Sequence, residues 1–369
     1  MTRILLLQAL TPLLRLWSIF VLVLISSFVS PAAFGETWAV QKIADDVVGA
    51  KWCGGAGRII WAGGSTGIHL YDRETKADNL ITQSWRDTDP FCSADGRYVF
   101  FVDGDSQKWR AYDTISAKTN TVDCFTKDVS LSPDLKVAVA HADMGSCRAV
   151  KLPSGKELTF QGLPNSRLPT YHPPRVWVWF PGNRRVVLGY IGAGDNATLV
   201  KGPKGELFPG GRSLIAIYDL AEKKVTPIDG LPRQAYNRIR ILDNGHTLLF
   251  GGVESPGAER AVYSVDMRSK PLRAKKYMHI PGSFDAHTRT GLLYGETPER
   301  DRFGGHLWLI ARQGAGLKTT ISDQLWESFS FSDDGDEILT EKPDIELRPE
   351  REDLNVARSV YVLTKPKSK

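Results

Sequence analysis

At 369 residues, 42% hydrophobic and 24% charged, the chain has globular composition with ample apolar material for a core. Its 47 Lys and Arg against 42 Asp and Glu leave a net charge of +5, too small a bias to argue for a nucleic-acid or anionic-membrane partner. Length alone suggests two domains, but closed all-β folds hold this many residues as one.

The first 35 residues read as a targeting segment. Arg3 and Arg15 are its only charges, Leu16–Ser30 is apolar, and Ala33 and Gly35 supply the small residues of a secretory cleavage site. The rival is an uncleaved anchor, against which Pro12 and Arg15 interrupt the apolar stretch. Removal of residues 1–35 leaves 45 basic and 42 acidic residues, a net of +3. Residues 36–369 are expected to form one domain.

Downstream, a β-unit recurs. Its clearest copy is Phe91–Asp113: a short apolar strand, an Asp95-Gly96 turn, the strand Arg97–Asp103, a polar loop and a strand ending Ala111-Tyr112-Asp113. Aligned on the turn, seven copies follow, at Ala56-Gly57, Asp95-Gly96, Asp134-Leu135, Gly182-Asn183, Asn244-Gly245, Thr290-Gly291 and Asp334-Gly335. Asp-Gly and Asn-Gly supply the positive φ that a tight two-residue hairpin needs. The third strand ends in Asp at Asp72, Asp113, Asp219 and Asp266. The last unit stops after its third strand, while Thr37–Ile43 precedes the first without a partner. The spacing predicts a seven-bladed β-propeller of four-stranded antiparallel blades, closed by the N-terminal strand.

Ser93-Ala94-Asp95-Gly96-Arg97, Leu131-Ser132-Pro133-Asp134 and Phe331-Ser332-Asp333-Asp334-Gly335 resemble the repeat of TolB-like (WD40-like, PD40) β-propellers. The resemblance covers essentially the whole chain after the leader and is sharp only in the second and last units. It implies that the repeat is structural, making turns and packing blades.

Four cysteines, Cys53, Cys92, Cys124 and Cys147, permit two disulfides in an exported protein, and no CxxC pair suggests zinc. Cys53 and Cys92 occupy equivalent places on neighbouring inner strands, within reach of a bond. Cys124 and Cys147 would be the remaining pair, and buried free thiols are the alternative.

Function is written less clearly. The connections between blades and between second and third strands gather on one face, where propellers usually build their sites. Long segments fall there: 161–175, 192–211, 229–237, 252–260, 297–305 and 342–356. Tyr171, His172, Arg233, Tyr236, Arg300 and Arg302 would give that face an aromatic–arginine character suited to peptides, glycans or acidic groups. Trp85, between the first two units, is the tryptophan expected to be exposed. Gly192–Ala197 imitates a dinucleotide turn, but the glycines and prolines behind it cannot make the required helix. Seven histidines lack metal-ligand spacing. No cofactor, metal or catalytic residue is therefore assigned. The expected protein is an exported monomer, periplasmic or extracellular, that binds a protein, peptide or glycan without catalysis and without stable membrane insertion. The rival reading is a propeller-type hydrolase or lyase with its site at the central channel mouth.

Overall fold

The computed structural model describes residues 38–366 apart from positions 56, 94, 183, 223 and 327 and the segments 123–128, 133–136, 142–146, 152–155, 158–174, 192–198, 202–206, 210–212, 256–257, 281–282, 297–304, 312–317 and 344–357. The residues 38–365 form one compact unit. It is an all-β propeller of four-stranded antiparallel blades.

Five separate four-stranded sheets occupy residues 88–122, 129–157, 175–227, 234–279 and 284–326, each a meander whose strands pair in chain order. The expected seven separate sheets are not found as such. One seven-stranded sheet instead runs Ser328–Phe331, Glu337–Pro343, Arg358–Thr364, Ala39–Trp52, Arg58–Gly63, Ile68–Asp72, Ala77–Leu80. The reason is the length of Ala39–Trp52, which is 14 residues. Its first half pairs with Arg358–Thr364, from Ala39↔Thr364 to Val47↔Arg358, and its second half with Arg58–Gly63, from Val47↔Gly63 to Trp52↔Ile59.

The second strand of each sheet explains why the sheets stack. Such strands read as unbroken apolar runs, RIIWAG at Arg58–Gly63, YVFFV at Tyr98–Val102 and TLLFGGV at Thr247–Val253, buried on both faces. Because successive side chains point to opposite faces, Leu248 and Phe250 pack with Phe180, Val187 and Ile217 of the preceding sheet. Leu249, between them, packs with Phe284, Leu292 and Tyr294 of the following one. Likewise Ile60 and Ala62 meet Val99 and Phe101, while Ile59 and Trp61 meet Leu339, Val360 and Val362.

The turn motif has a physical account that differs from the expected two-residue hairpin. Ser93 N–H bonds the Tyr98 carbonyl, and the Ser93 hydroxyl accepts from Tyr98 N–H at 2.8 Å. Asp95 accepts from Arg97 N–H at 3.0 Å, and Gly96 takes φ +66°. Ser332, Asp334 and Gly335 repeat the arrangement: the serine accepts from Glu337 N–H at 3.0 Å, and Gly335 has φ +73°. Serine, aspartate and glycine therefore close a longer, side-chain-braced turn.

The aspartate that ends the third strand has a local task too. Asp113 accepts from Ile115 N–H at 3.0 Å and from the Arg97 guanidinium at 3.1 Å. Asp219 accepts from Ala221 and Glu222 N–H, each at 3.0 Å, and from Arg184 at 2.8 Å.

Neighbouring turns touch where the chain is stapled. Cys53 and Cys92 are disulfide-bonded across the first two units. Beside them a Cβ on Gly54 would lie 2.5 Å from the Gly96 Cα, so both positions need glycine for close approach as well as for φ. Cys124 lies outside the described residues. Cys147 begins the strand Cys147–Lys151, with its side chain outside them.

Two stability predictions follow from these contacts. Replacing both Cys53 and Cys92 by alanine opens a loop of 39 residues and should cost about 2–4 kcal/mol, measured by urea unfolding. No loss would remove the staple from the account. The second concerns acid. Hydrogen bonds and arginine charges hold Asp72, Asp95, Asp113, Asp219, Asp266 and Asp334 below the usual carboxylate range. Depressed folded-state values give stability that is present above the unfolded value of about 3.9 and is lost as pH falls through the folded values. Urea midpoints should stay level from about pH 5 to 7 and drop below about pH 4; a level profile down to pH 2 contradicts this.

Candidate functional site

In a propeller the first strand of each sheet is innermost and lines the axis. Here four of these strands share an irregularity, while Val129–Leu131, Phe284–His287 and Ser328–Phe331 pair without one. Pairing slips between Val48 and Lys51 on Ala39–Trp52, between Thr88 and Phe91 on Thr88–Cys92, between Val176 and Val178 on Arg175–Trp179, and between Ala235 and Ile239 on Gln234–Leu242. Counted from the following turn, the four slips fall at nearly the same height. Bulges free a residue from the ladder and re-aim its side chain, and they gather beside active and binding sites. In or beside these four stand Lys51, Asp89, Trp177 and Arg238.

Their backbone and charges are unusual. Asp89 takes φ +55°, a left-handed conformation that non-glycine residues adopt at a cost. Lys51 is reachable by solvent yet surrounded by protein; burial pushes its ammonium below the ordinary lysine value, opposed by the charges of Asp89 and Glu341. Glu341 is itself buried and accepts from Ala50 N–H at 2.5 Å. Burial also lowers Arg238, and the charges of Arg240 and Arg260 push in the same direction.

Arg240 extends to the next sheet, where the buried Asp285 carboxylate takes its guanidinium. Asp285 also accepts from its neighbour Ala286 N–H and from Phe331 N–H of the sheet beyond, each at 2.8 Å. One carboxylate thus ties three successive sheets on the axis side.

The residues expected from sequence fare unevenly. Tyr171, His172, Arg300 and Arg302 lie outside the described residues. Arg233 is half-buried just before the strand Gln234–Leu242. Tyr236 falls in that strand's bulge, two positions from Arg238, with its side chain outside the described residues. Trp85 is 61% exposed, with the Arg86 guanidinium 5.4 Å from its ring centroid. Its support is rigid: the buried Asp87 accepts from Gly104 N–H at 2.8 Å, and a Cβ on Gly104 would meet Arg86 at 2.2 Å. Behind 192–198 the chain forms a hairpin, Leu199–Lys201 with Leu207–Pro209, which agrees with the rejection of a dinucleotide turn.

Sequence reasoning missed Lys51, Asp89 and Arg238, because no motif marks a bulge. It also missed a hydrogen-bond chain in the first unit. Thr66 Oγ1 lies 2.7 Å from His69 Nε2, and His69 Nδ1 lies 3.0 Å from Asp78 Oδ2. The imidazole stacks on Trp61 at 5.3 Å between centroids and 5° between planes. Thr-x-x-His was a signal available in the sequence; its cross-strand carboxylate was not. Among the described residues, no group of three or more His, Cys, Asp or Glu is placed to hold a metal ion. None of their helices is long and apolar enough to cross a membrane.

The chain matches no protein-family model and no curated protein. Solved structures resemble it in fold. An oligogalacturonate lyase from Vibrio parahaemolyticus is 12% identical with a TM-score of 0.57, covering 90% of this chain and 98% of that one. The β-propeller domain of Cps50 (Swd1) from Myceliophteria thermophila is 11% identical with a TM-score of 0.51, covering 86% and 99%. TolB from Acinetobacter baumannii is 14% identical with a TM-score of 0.44, and the match covers 78% of this chain and 63% of TolB. What these matches share with this chain is the β-propeller fold.

Removing the Asp285 carboxylate would leave the Phe331 and Ala286 amides and Arg240 without their acceptor. Asp285→Ala should destabilise by about 3–5 kcal/mol. Urea unfolding of Asp285→Ala and Arg240→Ala measures this; a loss below about 1 kcal/mol in the former would deny Asp285 its tying role.

Proposed function

We propose that this chain is an exported, non-enzymatic binding protein: a seven-bladed propeller, closed by the strand Ala39–Trp52, that takes a protein, peptide or glycan partner on its loop-rich face around the axis. The observation that carries this reading is the set of four first-strand bulges, three of which hold Lys51, Asp89 and Arg238 at nearly one height. Repeating one backbone irregularity across several sheets costs ladder hydrogen bonds each time, and a shared ligand site is a reason to bear that cost. Trp85 and Arg86 extend the surface outward on a rigid platform. The pairing of Ala39–Trp52 with Arg358–Thr364 supports the closure, and the apolar leader supports export.

Arrays of glycans and peptides probed with the full chain test the reading. Captured ligands should bind Asp89→Ala or Trp85→Ala at least about tenfold more weakly, the loss expected when a central contact is removed. Ligands that bind both variants like the parent chain would place the site elsewhere.

A hydrolase is the second reading, and Thr66–His69–Asp78 is the observation that favours it. Hydroxyl to Nε2 and Nδ1 to carboxylate is the atom order of a nucleophile, its base and the group that orients the base. p-Nitrophenyl acetate turnover by the full chain, lost at least about a hundredfold in Thr66→Ala and His69→Gln, would support catalysis. Equal rates in all three would leave the chain as a structural brace on Trp61.

A further inference from the structure

The bulge on Gln234–Leu242 differs from the others in extent. Ala235 pairs with Gly252 and Ile239 with Phe250, so Tyr236, Asn237 and Arg238 stand opposite Gly251 alone. Arg238 is thereby freed from regular pairing on an innermost strand, where solvent reaches it. The groups whose charges act on it are Arg240, Asp285 and Arg260.

That carboxylate is already committed. Asp285 Oδ1 takes Arg240 Nε and Ala286 N–H, while Oδ2 takes Phe331 N–H at 2.8 Å. Among the described residues no hydrogen bond or ion pair engages the Arg238 guanidinium, while Arg240 beside it is paired. A cation partly stripped of water and flanked by like charge is unfavourable unless something else supplies the counter-charge. Guanidinium presents a planar fork of donors that matches the two oxygens of a carboxylate or a phosphate.

We infer that Arg238 binds an oxyanion, the charged group of the ligand taken at the axis. This rests on the axis reading above and adds the chemistry of what sits there. The bulge exposes the fork, and Asp285 holds Arg240 toward the next sheet, which leaves Arg238 as the guanidinium open to the ligand.

Isothermal titration of the full chain with citrate, inorganic phosphate and chloride at matched ionic strength tests it. Citrate, phosphate or both should bind more tightly than chloride, and which one binds separates a carboxylate-bearing ligand from a phosphorylated one. Arg238→Ala should weaken that binding at least about tenfold, the size of one lost charge-assisted bidentate contact. Arg238→Lys should retain part of it, and Arg268→Ala, on an exposed turn paired with Asp266, should change nothing. Circular dichroism of Arg238→Ala must match the parent; if that variant misfolds, Arg238→Gln replaces it. Binding no tighter than chloride, or equal binding by the Arg238 variant, overturns the oxyanion site. Array ligands that still depend on Asp89 would then leave the axis reading standing, whereas oxyanion binding without any Asp89-dependent ligand would overturn that reading instead.

Discussion

The second strands Arg58–Gly63, Tyr98–Val102 and Thr247–Val253 are buried on both faces, and the rest of the architecture answers to that. A sheet whose Leu248 and Phe250 point one way and whose Leu249 points the other cannot stand with one face in water. At roughly 1.5–3 kcal/mol for each large apolar side chain, either face left bare would cost more than a domain's net stability. Each sheet must therefore have a neighbour on both sides. Stacking of that kind brings the first strands to the axis and sends the connecting loops to the ends. The position of any site follows from where apolar residues alternate.

Much of this was legible in the sequence, because the repeat rests on short-range chemistry. Ser-x-Asp-Gly makes a braced turn from its own side chains, and an aspartate after an aromatic caps the next one; both were readable at Ser93–Gly96 and Asp113. What was misjudged is the turn length, since the serine hydroxyl accepts from an amide five residues on and lengthens the loop. The merging of sheets was also beyond reach. Nothing in the composition of Ala39–Trp52 says that one strand serves two sheets, because the register shift at its middle depends on partners far away in sequence.

The site was less legible, for a reason that follows from the fold. Loop composition led attention to Tyr171, His172, Arg233, Tyr236, Arg300 and Arg302. The charges brought together by the described residues stand instead on innermost strands, in bulges that leave no sequence signature. Lys51 and Arg240 hold equivalent places three residues or fewer before their turns, and each faces a carboxylate on a neighbouring sheet. Only the stacking makes them a set. Tyr236, singled out for its loop, sits in the same bulge two residues from Arg238.

The strand that serves two sheets has a consequence for how the protein comes into being. Ala39 finds its partner only when Thr364 exists, at the far end of the described chain. A chain emerging from its N-terminus therefore carries an unpaired strand edge, and the apolar face of Val47, Ile59 and Trp61, until Arg358–Thr364 has been made. Long-range pairings of this kind form slowly because the intervening loop must be closed first. Until the last strand arrives, the first one is an open invitation to the wrong partner. Correct assembly is thus decided only once Arg358–Thr364 has been made.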